Sequence, residues 1–470
     1  MLAQKISYNI IVNGIAKVLS IALALFGIGM LTRYLGTDGF GKYATVLAFF
    51  AFFSAVGDFG LYSIATRKIS RENSDESWIL SRIFTLRLII SLTILFFTAL
   101  FVWFLPYEQD IKVGILIASG AFLFSSSYGL LNGLFQKHIA MDRVALVELS
   151  GKVIQVIILL IIINYKLSFV YTLVAIFIAM FWNFIWLFFL SKKYTKISIK
   201  FDSDYWKLFL KESAPMGVSA FVTFLYFKID IILLSFFTTT SAVGIYSAAY
   251  KIIETLIFFP AMVIGLMFPL FSRYIFTDKK KFIKISNIIL KMFTLIVVPL
   301  VISVVFLAPD IIAIVGGPGF ENSAPVLQIL VFALASIFFG HLFTNILIAG
   351  SLQKKLMFAL IIAAILNIGA NIILIPIYSY TGAAVVSVIT EVFVFLITMF
   401  LAIKYTSYEI TTIRLPFILF AGASMILVYL FFPFSPFINA GFSIIIYSIL
   451  LLTFRVITRN DIMHILPKRS

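Results

Sequence analysis

The stretch "FVTFLYFKIDIILLSFF", residues 221–237, is apolar and aromatic enough for a lipid bilayer, yet Lys228 and Asp230 stand in its middle. A full charge there costs on the order of 2.5–3.5 kcal/mol even on insertion scales, so each needs a partner, water or a ligand. Positions two apart on a helix point to nearly opposite faces, so these two do not readily neutralise each other. Breaking the sequence at charge clusters leaves six basic residues inside apolar runs: Lys17, Arg87, Lys152, Lys228, Lys251 and Lys291. Five carboxylates share those runs: Asp58, Glu148, Asp230, Glu254 and Glu391. An excess of cations fits an anionic passenger, since a pyrophosphate with about two negative charges would meet Lys17, Lys152, Lys228 or Lys251 in a low-dielectric cleft. Carboxylates in a membrane suit proton or Na⁺ coupling, because desolvation favours the protonated acid and a cation can replace the proton. Asp58, Asp230, Glu254 and Glu391 are the candidates for that role.

Spacing groups these residues into faces. Asn9, Asn13, Lys17 and Ser20 fall at i, i+4, i+8 and i+11 on one helical face. That face serves either a polar helix–helix contact or a wet cavity, and Lys17, near mid-span, puts Asn9 and Asn13 with it among the substrate-binding candidates. Ser219, Thr223, Tyr226 and Asp230 repeat the spacing at i, i+4, i+7 and i+11, with Lys228 on another face beside Phe221 and Phe224. Glu148 and Lys152 are four apart in the favourable order for an intrahelical ion pair, and Gln155 extends their face. Such a pair is either structural or part of a cavity wall. Lys251 and Glu254 are i, i+3 neighbours upstream of Pro260, where a kink could act as a hinge. Asp58 has Ser54 and Tyr62 on its face and a glycine on each side of it in "AVGDFG", which permits close helix approach. Arg87 and Lys291 are each about six residues from the start of a span, within reach of the surface by snorkelling. Snorkelling suits Lys291; Arg87, with Ser91 and Thr98 on its face, stays among the substrate-binding candidates.

The elements that must position these side chains follow from composition. In 470 residues, 62% hydrophobic content, 12% charged residues and a mean hydropathy of +1.12 exclude an ordinary soluble domain, whose charged fraction is about 25%. The chain reads as an all-α polytopic membrane protein. With no cysteine and three scattered histidines, His138, His341 and His464, disulfides, thiol nucleophiles and Cys/His metal sites are not expected. No metal or cofactor is expected either. A net charge of +16 could suggest nucleic acid, but the basic residues border apolar runs, where topology signals sit. Lys5 and the small-x-small Ala22-Leu23-Ala24 prompt a signal-peptide reading, yet the apolar run continues to about Thr32 and is read as an uncleaved first span.

About fourteen apolar segments of roughly 20–27 residues are each long enough to cross ~30 Å of hydrocarbon. They cover 6–32, 43–66, 82–105, 111–135, 144–164, 168–190, 213–238, 244–271, 286–308, 325–349, 358–377, 380–403, 414–433 and 438–457. On alternate sides of these spans, 26 of the 36 Lys and Arg gather on one side, and only Arg33, Lys42, Lys112 and Lys166 on the other. That bias places both termini in the cytoplasm. The chain also repeats itself: Gly41 and Tyr43 recur as Gly244 and Tyr246, Gln136-Lys137 as Gln353-Lys354, and Lys193-Tyr194 as Lys404-Tyr405. Two six-helix lobes, 1–205 and 206–405, followed by two further helices and a tail in 406–470, fit a parallel-repeat transporter with its site between the halves.

"LTRYLGTDGFGKYA", "GDFGLYSIATRKIS" and "ILNIGANIILIPIYSYTGAAVVSVITE" resemble the polysaccharide flippase family, the Wzx-like O-antigen and capsule flippases. That family sits in a superfamily with the MATE drug exporters and the lipid II flippase MurJ, and the likeness extends over nearly the whole chain. The resemblance implies alternating access on undecaprenyl-pyrophosphate-linked oligosaccharides in a bacterial inner membrane, with a polysaccharide polymerase as a possible partner. Many Wzx proteins are drawn with twelve spans, so fourteen leaves a capsule-type or MurJ-like member open. A MATE-like exporter of cations or drugs is the nearest rival, and there carboxylates are expected to dominate. An enzyme of polysaccharide assembly is the rival from another class, but the outer loops are short and their acidic residues, Glu108, Asp110, Asp310 and Glu321, lack metal-site spacing. "VGGPGF" at 315–320 lacks the Gly-Lys-Ser/Thr of a phosphate loop and reads as an outer turn.

Overall fold

The computed structural model describes residues 2–71, 74–406, 408–411 and 414–456, apart from the side chains of 2–8, 10, 11 and 219. Ser219 and the basic residues Lys5, Arg459, Lys468 and Arg469 therefore lie outside the described side chains. Hydrocarbon offers no partner to a backbone amide, so a chain this apolar satisfies its backbone inside helices. Among the described residues there are thirteen α-helices, one short 3₁₀ turn and no strand. The first seven are α1 (Leu2–Asp58), α2 (Leu61–Ile69), α3 (Glu76–Phe101), α4 (Gln109–Lys137), α5 (Met141–Asn164), α6 (Phe169–Ser191) and α7 (Ser203–Phe237). The remaining six are α8 (Thr240–Thr277), α9 (Lys279–Val315), α10 (Ser323–Ala349), α11 (Gln353–Thr406), α12 (Leu415–Phe431) and α13 (Pro436–Thr453).

Eleven of the described helices are long and apolar enough to cross a membrane. Two of them are double: α1 turns at Gly36 (φ 63°) and α11 at Ser379 (φ 51°), so each supplies two arms. Counted by arms, and with the 17-residue α12, the apolar passes number fourteen. Both joints fall in the gaps expected between spans, 33–42 and 378–379, so the fourteen expected segments stand. The joint at Ser379 is close-packed, because a Cβ on Gly382 would lie 2.5 Å from the Leu374 carbonyl oxygen.

The expected span 43–66 is corrected: it is broken. Phe59 (φ 39°) and Gly60 (φ 75°) leave the right-handed region, so α1 ends at Asp58 and α2 starts at Leu61. Glycine suits such a φ, and Gly60 has a second reason to lack a side chain. A Cβ there would sit 2.6 Å from Met216 Cβ and 2.8 Å from the Ser213 carbonyl oxygen on α7. By contrast, α8 runs as one helix through Pro260 and Pro269.

The chain forms two compact units, one of residues 1–244 with 315–317, the other of 245–314 with 318–470. In the first, α4 is the most enclosed helix, with 56% of its most apolar window buried. Leu61, Ile64, Leu80, Ile83, Leu130, Leu134 and Phe209 form one core, joining α2, α3, α4 and α7. In the second, α10 takes the central place, with 67% of its window buried. There α12 and α13 pack on α9: Tyr447 donates to the Leu295 carbonyl at 3.1 Å, and Phe306 stacks on Tyr429 with centroids 4.6 Å apart. Thus α4 and α10 are the fourth and tenth passes, equivalent under a six-pass repeat.

A closer sign of the repeat lies inside the first unit, where α1 crosses the first turn of α8. A Cβ on Gly41 would fall 1.7 Å from the Thr240 carbonyl oxygen, and one on Gly244 would fall 2.0 Å from that of Thr37. Ser241 donates to Thr37 Oγ1 at 2.9 Å, while Thr240 donates to Asp38. Each of these contacts maps onto the other by exchanging residues 203 apart, the offset that relates Gly41 to Gly244.

At a basic cluster, Asp202 caps α7 by accepting from the Tyr205 amide at 3.0 Å and pairs with Arg82 Nε at 2.6 Å. The hydrogen bond from Arg82, followed by that from Tyr205, holds its carboxyl below the usual aspartate range.

Candidate functional site

The break between α1 and α2 exposes what a continuous helix would hide. Asp58, the last residue of α1, accepts from the Tyr62 amide at 3.3 Å, so its carboxylate stands at the N-terminus of α2. A negative charge is favoured there by the helix dipole and by the free amides of a first turn. Arg87, on α3, comes to the same carboxylate. It does not snorkel: it is 2% exposed, and its Nη2 donates to Asp58 Oδ1. The other terminal nitrogen, Nη1, donates to the Ser126 carbonyl on α4. The guanidinium passes beside Gly129, where a Cβ would lie at an ordinary 3.5 Å from Arg87 Nη1.

Around the pair is a chamber of about 320 Å³ lined by Ser54, Asp58, Tyr62, Arg87, Phe122, Ser125, Ser126, Gly129 and Asn132. Its polar atoms are of both kinds. Arg87 Nε, Ser126 Oγ and Asn132 Oδ1 are buried and have no protein partner. Tyr62 directs its hydroxyl to Gln136 Oε1 at 3.2 Å, and Ser54 donates to the Phe50 carbonyl at 2.9 Å. Phe122 is wedged against Gly57, where a Cβ would come within 2.3 Å of the ring. The ring edge therefore has a fixed place in the wall.

Of the residues singled out by sequence, Asp58 and Arg87 meet here, together with Ser54 and Tyr62 from the face of Asp58. Lys251 and Glu254 also meet, in an ion pair of 2.7 Å on α8. The other candidates are placed as follows. Asn9 is buried and its side-chain oxygen accepts from the Asp142 amide at 3.0 Å, holding the first turn of α5. Asn13 is half-buried and Lys17 exposed, so that polar face does not share one environment. Glu148 accepts from the Tyr128 hydroxyl at 2.8 Å and Lys152 donates to Gln155 at 3.1 Å. Lys228 is half-buried, whereas Asp230 is 2% exposed and accepts from the Ile231 amide at 3.1 Å. Glu391 is buried on α11, next to Thr390, which accepts from Asn367 at 3.2 Å. Asn371 extends that chain of amides to Asn367 at 3.0 Å.

The α4 wall is what sequence reasoning missed. Phe122, Ser125, Ser126, Gly129 and Asn132 lie at helical spacing on one face of an otherwise apolar span. The signal was the run Ser125-Ser126-Ser127 followed by Gly129 and Asn132, a polar stripe without a charge.

Residues 6–275, more than half of the chain, match the model of a family described as polysaccharide biosynthesis protein. Among solved structures, the chain is similar to the lipid II flippase MurJ in an inward closed conformation, with a TM-score of 0.80 and 18% identity over 96% of this chain and 100% of that one. It is similar also to an inward-facing multidrug resistance MATE family transporter of the MOP superfamily, with a TM-score of 0.63 and 14% identity over 83% and 94% of the two chains. A MOP superfamily transporter from Pyrococcus furiosus, whose binding pocket has reversed polarity, gives a TM-score of 0.52 and 15% identity over 86% and 96%. At these identities the likeness is one of fold. No curated protein sequence matches the chain.

Proposed function

Because this chain belongs to the polysaccharide biosynthesis protein family, we propose that it is a flippase for an undecaprenyl-pyrophosphate-linked oligosaccharide. In this reading the cargo passes from the cytoplasmic to the outer leaflet of a bacterial inner membrane by alternating access, coupled to H⁺ or Na⁺. The chain is a multi-pass membrane protein with a MurJ/MATE-like fold. One observation carries the reading beyond the family: a buried arginine and a carboxylate meet at a broken helix inside an apolar span, facing a polar chamber. A purely structural bundle gains little from such a pair, because desolvation offsets most of its attraction. Intramembrane ionisable groups facing a cavity mark substrate and ion pathways.

Lys17, Lys152, Lys228 and Lys251 are the proposed partners of the pyrophosphate, with Asn13 beside Lys17. Asp230, Glu254 and Glu391 are the proposed coupling carboxylates, Asp58 being held by Arg87. A MATE-like export of cations fits less well, since the carboxylate of the chamber is already bonded to Arg87. A polymerase enters this reading as a partner that consumes the product.

The test is translocation of a fluorescent lipid-linked oligosaccharide by the full chain in proteoliposomes, read by chemical quenching of the outer leaflet. Quenching should rise with an imposed ion gradient, and Lys228→Ala with Lys251→Ala should slow it at least about tenfold, the loss of a charge-assisted contact in a low-dielectric site. Unchanged rates in that double variant overturn the anionic-cargo assignment. Efflux of a lipophilic cation dye in place of lipid movement would support the exporter.

A further inference from the structure

The basic ends of the two units share a backbone and differ in charge. Asp75 caps α3 by accepting from the Trp78 amide at 2.9 Å, and Asp278, 203 positions on, caps α9 by accepting from the Lys281 amide at 3.1 Å. The turn between α4 and α5 closes with bonds from the His138, Ile139 and Ala140 amides to the Leu134, Gln136 and Phe135 carbonyls. The turn between α10 and α11 closes with the same three bonds, each residue 212 positions on, and its Ser351 (φ 60°) matches Ile139 (φ 50°). Just past each turn a cation stands over the ring of a tyrosine: Arg143 over Tyr194 at 5.7 Å, and Lys355 over Tyr405 at 3.9 Å.

Matched positions carry opposite charges. In the first unit Glu76 bridges Lys137 at 2.6 Å and His138 at 3.1 Å, and His138 stacks on Tyr194, so cations there are neutralised from within. In the second unit Glu76 is matched by Lys279 and Asp142 by Lys354. Lys404, beside Tyr405, adds an ammonium 5.5 Å from the ring that Lys355 also faces. Asp278 is taken by Lys281 at 3.2 Å, and among the described residues no carboxylate pairs with the exposed Lys354, Lys355 or Lys404. One turn inward on the two arms of α11, Phe358 and Phe400 are 64% and 54% exposed, and Ile362, Ile365 and Leu396 continue those apolar stripes. On a helix that crosses a bilayer such stripes are solvated by acyl chains. The lysines lie on the side that the Lys and Arg bias assigns to the cytoplasm, where anionic phospholipids attract basic clusters beside the membrane. We infer that Lys354, Lys355 and Lys404 bind the headgroup of one anionic phospholipid of that leaflet, with Phe358 and Phe400 against its acyl chains. The Tyr405 ring gathers Lys355 and Lys404 about one point. This lipid is resident and is not the cargo, so the inference does not depend on the flippase reading.

The experiment is a lipid titration of the full chain in a neutral detergent, read by native mass spectrometry, with dioleoyl phosphatidylglycerol as the probe and dioleoyl phosphatidylcholine as the uncharged control. Phosphatidylglycerol should fill one saturable site that phosphatidylcholine leaves empty. Lys354→Gln with Lys355→Gln and Lys404→Gln should weaken the first bound phosphatidylglycerol at least about tenfold, because the charges beside the membrane are lost. The single variant Lys404→Gln, with a loss of about threefold, serves if thermal unfolding shows the triple variant misfolded. Phe358→Ser with Phe400→Ser should weaken binding several-fold while the lysines stay. Arg143→Gln with Lys192→Gln and Lys193→Gln removes the same charge from the matching end of the first unit and should change the affinity by less than about twofold, since distant charges are screened. Equal weakening by the first-unit variant, binding indifferent to the lysine variants, or equal retention of phosphatidylcholine overturns the inference. Displacement of phosphatidylglycerol by equimolar inorganic pyrophosphate overturns it in favour of a soluble anion. Displacement by undecaprenyl pyrophosphate well below the phosphatidylglycerol concentration overturns it in favour of the cargo's own path.

Discussion

Arg87 and Asp58 hold each other in place, and neither is tolerable alone. Asp58→Asn leaves a guanidinium that is 2% exposed without its counter-ion. Breaking a buried pair from one side costs about 3–5 kcal/mol, and the lower end applies because Asp58 is 36% exposed. Replacing both partners removes the stranded charge, so Asp58→Asn with Arg87→Met should be more stable than Asp58→Asn alone. Thermal unfolding of the three proteins in one detergent checks this; a double variant less stable than the single one contradicts the pairing. The sequence displayed half of this site. Asp58, Ser54 and Tyr62 share a face by spacing, and that face is the one that lines the chamber. The burial of Arg87 was not legible, because whether a long stem snorkels or turns inward depends on what α4 offers it. The Ser126 carbonyl that receives it is backbone and leaves no trace in residue type. Serines of α4 were easy to pass over for a related reason: a serine in an apolar helix ordinarily bonds back to its own turn, as Ser127 does to the Leu123 carbonyl at 3.0 Å.

At the scale of elements, the apolar runs announced their number, their approximate limits and two of their joints, whereas a break inside one run did not show. Hydropathy records transfer energy and is silent on φ, so it left gaps where the bends at Gly36 and Ser379 lie but missed the break at Phe59-Gly60, which falls inside an apolar run. The crossing of α1 over the first turn of α8 is the element contact with the least tolerance. Gly41→Val places a branched side chain where the Thr240 carbonyl oxygen lies 1.7 Å from the Cβ position, so the helices must separate. The chain has no native cysteine, which makes it a clean background for cross-linking. With Thr37→Cys and Ser241→Cys, whose native oxygens are 2.9 Å apart, oxidation should join the two positions readily. Adding Gly41→Val should cut the yield several-fold on a denaturing gel, and Gly244→Val should do the same by the mirror contact. An undiminished yield in both contradicts the close crossing.

For the whole molecule, the class and the pass count were legible because the bilayer leaves so few alternatives to helices of this length. The assignment of sides rests on the lysine and arginine bias alone. It predicts that in intact cells a cysteine at Lys166 is labelled by an impermeant maleimide, while one at Lys196 is labelled only after permeabilisation. Reversed labelling would invert the topology and with it the direction of transport. Within the two units, α4 and α10 occupy matching central places. The repeat says nothing, however, of which unit carries a chamber.

Every residue lining that chamber lies between positions 54 and 132, within a single unit. A ligand shifts a conformational equilibrium only by its difference in affinity for the two states. Walls drawn from one unit keep the same composition at every stage of a transport cycle. A moiety lodged there would add to selectivity without supplying thrust, and the work of turning the carrier over would fall to groups elsewhere in the chain.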